Sequence, residues 1–101
     1  MTAGRPRFLL VLFTWHGLPK INELEPLFGT AIDWLRVSPD TRILYTINDA
    51  ELWFKYINKH LSKASDTEDF VLISELNLSN VGDNYSGWQT KMVWDWIQKP
   101  R

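Results

Sequence analysis

A chain of 101 residues has room for one hydrophobic core and not for two, so a single domain over 1–101 is expected. Apolar residues at 45% and charged residues at 23% exclude wholesale disorder, and a formal net charge of -1 disfavours non-specific binding to phosphate backbones. With no cysteine, disulfide frameworks, thiol nucleophiles and thiolate metal sites are excluded.

Arg5 and Arg7 precede the apolar run Phe8-Leu9-Leu10-Val11-Leu12-Phe13, which loosely imitates the start of a secretory leader. The run is short, however, and Thr14-Trp15-His16 follows where a small-residue cleavage site would lie. No stretch approaches the ~18 apolar residues of a membrane span. The segment therefore reads as a strand buried on both faces, in a cytoplasmic protein with no membrane association.

Gly17 and Pro19 end that strand. Ile21, Leu24, Leu27 and Phe28 then recur at helical spacing, Gly29 supplies a stop, and Pro26 limits the element to a short or kinked helix over 19–28. Residues 32–37 and 41–47 are rich in branched and aromatic side chains, and Ser38-Pro39-Asp40 between them has turn chemistry, which predicts a hairpin. Asn48 with Glu51 three residues on makes a capping-box pattern for a second helix. Its stripe is Leu52/Trp53, Tyr56/Ile57 and His60/Leu61, with Lys55, Lys59 and Lys63 on the solvated side. A polar loop from Ser62 leads to a fourth strand over 70–76. Ser86-Gly87-Trp88-Gln89 has a second capping-box pattern, opening a C-terminal helix with Met92, Val93, Trp94, Trp96 and Ile97, closed by Pro100.

The order β-α-β-β-α-β plus a terminal helix predicts an α+β, ferredoxin-like fold: a four-stranded antiparallel sheet over 7–77 with a helical extension over 85–99. Two helices cover one face of such a sheet. Leu44 and Leu72 lie opposite in phase to Ile43 and Ile73, so the other face carries apolar area as well. Six tryptophans exceed the needs of one small core. Either the helix with Trp88, Trp94 and Trp96 covers the second face, or a second protomer does.

Chemistry is sparsely marked. No catalytic, cofactor-binding or metal-binding set emerges: the glycines form neither G-x-S-x-G nor G-x-G-x-x-G, and Asp33, Asp40, Asp49, Asp83, His16 and His60 have no ligand spacing. No cofactor is expected. The candidate functional loop is Thr14, Trp15 and His16 at the end of the first strand, with Asp33 beside the aromatic wall of Trp34. Arg36 and Arg42 with Trp34 and Tyr45 raise base stacking, but no RNP-type run is present and nucleic acid is not the favoured partner.

The apolar opening strand, Arg42-Ile43-Leu44-Tyr45-Thr46 leading into Asn48-Asp49-Ala50-Glu51, and Asp69-Phe70-Val71-Leu72-Ile73-Ser74-Glu75-Leu76 together resemble the SinR-like relatives of the small ferredoxin-fold CRISPR-associated protein two. Gly87-Trp88 and Trp94-Asp95-Trp96-Ile97 fit the same pattern. The resemblance implies a ferredoxin-like protomer that pairs as a homodimer. In the nuclease branch an aspartate at the end of the first strand binds a divalent metal, and the stretch Leu12-Phe13-Thr14-Trp15 has no carboxylate there. The expectation is therefore a non-catalytic interaction or adaptor protein in prokaryotic defence or mobile-element biology, with a protein partner. The alternatives are a divalent-metal nuclease using Asp33 or Asp83, and a small nucleic-acid-binding module.

Overall fold

The computed structural model describes residues 4–78, 87 and 89–101. Among these residues seven elements follow in chain order: β1 (Arg7–Trp15), α1 (Ile21–Phe28), β2 (Asp33–Ser38), β3 (Thr41–Thr46), α2 (Ala50–Asn58), β4 (Asp69–Leu76) and α3 (Lys91–Gln98). The strands form one antiparallel sheet in the order β2-β3-β1-β4, and the class is α+β. β1 is central because it alone is long and apolar on both faces. It pairs β3 from Arg7↔Thr46 to Leu12↔Thr41 and β4 from Phe8↔Leu76 to Trp15↔Asp69.

Alternation along β1 divides the apolar residues between two cores. Leu9, Val11 and Phe13 are buried with Leu44 of β3, Leu24 and Phe28 of α1, and Trp53 and Ile57 of α2. The opposite face gathers Leu35, Ile43 and Leu78 with Val93 and Ile97 of α3, and Phe8, Leu10, Trp94 and Trp96 pack against them. α3 thus covers part of the second face within the chain.

Polar groups fix the edges of the first core. Arg42, only 1% exposed, donates from Nη1 to the carbonyls of Ser38, Pro39 and Thr41 at 2.7, 3.3 and 3.2 Å. Its Nη2 lies 3.5 Å from the Glu25 carboxylate of α1, so one guanidinium holds both the β2–β3 turn and the helix above it. Burial and the nearby charge of Arg36 lower its pKa from the ordinary value, against the attraction of Glu25 and Asp40.

Three helix boundaries differ from the sequence expectation. α2 is capped by Asp49, whose Oδ1 accepts from the Leu52 N–H at 2.9 Å, and not by Asn48. The Asn48 N–H donates instead to Thr46 Oγ1 at 3.1 Å, and the Trp53 indole N–H reaches the same hydroxyl at 3.1 Å. That hydroxyl keeps Asn48 with the strand and moves the helix start one residue on. α1 starts at Ile21 and accommodates Pro26 in its interior, where Leu24 and Phe28 still reach the core. α3 starts at Lys91 after Thr90, not at Ser86; Gly87 and Gln89 are non-helical, and Ser86 and Trp88 lie outside the described residues.

Candidate functional site

The loop singled out at the end of β1 divides between the two faces. Trp15 stacks on Phe13 with ring centroids 4.9 Å apart and donates its indole N–H to Asp40 Oδ1 at 3.0 Å, tying β1 to the hairpin turn. Thr14 is exposed and pairs with Phe70 across the strands, and the exposed His16 ring meets Phe70 edge-on at 5.2 Å. Trp15 is thus structural, whereas Thr14 and His16 border an open surface.

That surface is the half of the second face beyond α3. Leu12 and Leu72 are register partners on β1 and β4 and are 39% and 59% exposed; Phe70, one pleat along, is 44% exposed. β4 is also an edge strand, so one side of its backbone has no strand partner among the described residues. Edge strands are usually guarded by lysine, proline or a bulge. Asp69–Leu76 has none of these, and its charged residues are the buried Asp69 and Glu75, which lies 3.3 Å from Arg7 Nη1. Of the interface and core candidates, Leu72 is on this surface, Leu44 is buried under α1 and α2, and Trp94 and Trp96 pack in the second core. Trp88 lies outside the described residues.

Asp33, at the start of β2, organises the other end of the same face. Its Oδ2 accepts from the Trp96 indole N–H at 3.0 Å and from Arg101 Nη1 at 3.1 Å, while Lys99 Nζ lies 3.6 Å away. Its Oδ1 accepts from the Trp34 N–H at 2.9 Å. The Arg101 guanidinium lies 4.4 Å from the Trp96 ring centroid, 4.7 Å from Tyr45 and 5.6 Å from Phe8. Partial burial pushes the Asp33 carboxyl up, but the Arg101 and Trp34 hydrogen bonds and the charges of Lys99 and Arg101 outweigh it and hold the group below its ordinary pKa. Arg101 carried no signal in the sequence, because a single basic residue after a helix-ending proline belongs to no periodic pattern.

A second group missed by sequence reasoning lies at the start of β4. The Asp69 carboxylate is fully buried; its Oδ2 accepts from Lys20 Nζ and from the Ser62 N–H at 2.8 Å, and the Asp69 N–H donates to the Ser62 carbonyl at 3.0 Å. Burial raises this carboxyl, and the Lys20 and Ser62 hydrogen bonds with the charges of Lys20 and His16 overcome it, leaving the pKa lowered. Asp69 Oδ1 is buried without a hydrogen-bond partner among the described residues. The reciprocal bonds with Ser62 make this a clasp on the 62–69 loop.

Other candidates are separated by the fold. Trp34 packs with the first core beside Phe28, whereas Tyr45 sits on the opposite face against Phe8, so they form no common platform. Arg42 is consumed by the hairpin carbonyls. His60 is exposed just beyond α2. Among the described residues no three His, Asp or Glu side chains gather as metal ligands, and no helix is long and apolar enough to cross a membrane. A groove of about 660 Å³ beside α2 mixes Arg7 and Lys55 with Asp49 and Glu51. Comparison with family models, curated proteins and solved structures returned no match.

Proposed function

We propose that this protein is a non-catalytic interaction protein that works as a homodimer, a ferredoxin-like adaptor of the SinR-like type serving prokaryotic defence or mobile-element biology in the cytoplasm. The order β2-β3-β1-β4, with the hairpin strands on one side of β1 and β4 on the other, supports the ferredoxin-like reading. The observation that carries the assembly is the coincidence of an unguarded edge strand with the exposed Leu12, Phe70 and Leu72.

A two-fold axis normal to the sheet would pair the β4 edges of two protomers antiparallel. Strand faces are preserved by that operation, so Phe70 and Leu72 of both copies come to one continuous surface. Edge-strand hydrogen bonds and cross-strand contacts between the β4 side chains then act together at the seam, while Leu12, one strand in, stays on the combined face. A second protomer is the occupant that needs no further component. The nucleic-acid reading lacks this support, because Arg42 is buried and the two candidate stacking rings face opposite ways.

The test is solution mass by light scattering from micromolar concentration upward. The expected value is about twice 11.9 kDa for the wild type and the single-chain mass for Leu72→Lys, which places a guarding charge on the edge strand. A wild-type mass of one chain across the whole range overturns the dimer. The competing nuclease reading is tested with magnesium and manganese: no cleavage of DNA or RNA is expected, and metal-dependent cleavage lost in Asp33→Ala or Asp83→Ala would replace the adaptor reading.

A further inference from the structure

We propose that Phe8, Tyr45, Trp96 and Asp33 form a guanidinium-recognition site, filled in cis by Arg101, that accepts an arginine side chain of a partner polypeptide when Arg101 withdraws. The site is independent of the dimer and lies at the other end of the second sheet face.

The chemistry selects a guanidinium over other cations. Three aromatic rings present their π-systems to the Arg101 Cζ at 4.4, 4.7 and 5.6 Å, and a planar delocalised cation stacks on such rings as well as being attracted by them. Two different nitrogens of the fork find two different acceptors: Nη1 the Asp33 carboxylate at 3.1 Å, Nη2 the Trp96 carbonyl at 3.0 Å. An ammonium has no plane to stack and no fork to match that pair of acceptors. The molecule contains its own control. Lys99 Nζ lies 3.6 Å from the same Asp33 oxygen, yet its side chain is 59% exposed and makes no ring contact within the cage, whereas the Arg101 side chain is 12% exposed.

The site can also be vacated locally. α3 ends at Gln98, and only the exposed Lys99 and Pro100 link it to Arg101, so the guanidinium can leave the rings without unwinding a helical turn. A recess of about 270 Å³ adjoins the cage, lined by Phe8, Tyr45, Leu78, Ile97 and Arg101 together with Pro6, Lys99 and Pro100, and leaves room for an incoming aliphatic stem. Phe8, Tyr45 and Trp96 are held by sheet pairing and by the Trp96–Asp33 hydrogen bond, so the rings stay preorganised when Arg101 is absent.

The experiment uses the full chain with Arg101→Ala, titrated at constant ionic strength with acetyl-arginine-amide and, in a parallel arm, acetyl-lysine-amide. Tryptophan fluorescence and the thermal midpoint are the readouts. Expected is a saturable response to the arginine amide in the variant, at least tenfold tighter than in the wild type and than for the lysine amide, and abolished by adding Asp33→Asn. Equal responses of wild type and variant, equal responses to the two amides, or no saturable response overturn the proposal. Should the variant lose its fold, recovery of far-UV helical signal with the arginine amide alone supports the site, and recovery with both amides or neither overturns it.

Discussion

Leu9, Val11 and Phe13 project from one face of β1, and Phe8, Leu10 and Leu12 from the other, and the two rows meet different surroundings. The first row is sealed beneath α1 and α2 by Leu24, Phe28, Trp53 and Ile57, all essentially buried. The second begins beneath α3 and its Asp33–Trp96–Arg101 contacts and ends at Leu12, beside exposed Leu72 and Phe70. Equal hydrophobicity in the strand therefore does not give equal burial. Two helices seal one face, while one helix closes only part of the other, held there by buried Val93 and Ile97 together with the Trp96 hydrogen bond to Asp33.

The clasp at the start of β4 should produce the largest effect. Asp69→Ala leaves Lys20 without its partner and the Ser62 N–H unsatisfied, and is expected to cost about 3–5 kcal/mol in denaturant unfolding. The same group predicts acid sensitivity. Its folded pKa is depressed, so its stabilisation is complete above the unfolded value of about 4 and is lost as pH falls through the folded pKa. Asp33 has the same direction of shift, so the wild-type midpoint should drop on acidification, and drop less in Asp69→Asn. An unchanged acid dependence in that variant would show that the clasp is not the titrating group.

The contrast between the faces is sharpened by truncating one residue on each. Leu24→Ala under α1 should cost about 2–5 kcal/mol, and Ile97→Ala in α3 should fall below it, because the partly open face can relax into the space. A larger loss for Ile97→Ala would mean that α3, and not the two-helix layer, dominates stability. Helix entry gives a smaller effect: Asp49→Ala should cost about 0.5–2 kcal/mol, and Asn48→Ala, whose side chain is not the cap, should stay within about 0.5 kcal/mol. The smallest stability change, within about 0.5 kcal/mol for the isolated protomer, is expected for the exposed Leu72→Lys, although that substitution is the one expected to halve the solution mass.

The existence and order of the elements were legible because they follow from periodicities of two and of about 3.6 residues. Phe8–Phe13 had to be a central strand, and Leu24 with Phe28, like Trp53 with Ile57, had to be the inner stripe of a helix. Boundaries were less legible where neighbouring residues share a chemistry. Asn48 and Asp49 both accept hydrogen bonds, and the choice fell to Asp49 because Thr46, fixed by its place in β3, takes the Asn48 N–H. Basic residues had the same ambiguity. Arg42 reads as a surface charge on an alternating strand, yet the turn it follows supplies three carbonyls and the helix above supplies Glu25.

Sequence alone determined that both faces of the sheet would carry apolar residues, because alternation on a strand is local. Which half of the second face is covered was decided only by where α3 docks, and that depends on contacts between residues far apart in the chain. Asp33 meets Trp96 and Arg101 across separations of 63 and 68 residues, and Lys20 meets Asp69 across 49. No periodicity relates such partners. A lone carboxylate or guanidinium has the same appearance in sequence whether it is solvated or caged, and only chain closure around the sheet distinguishes the two.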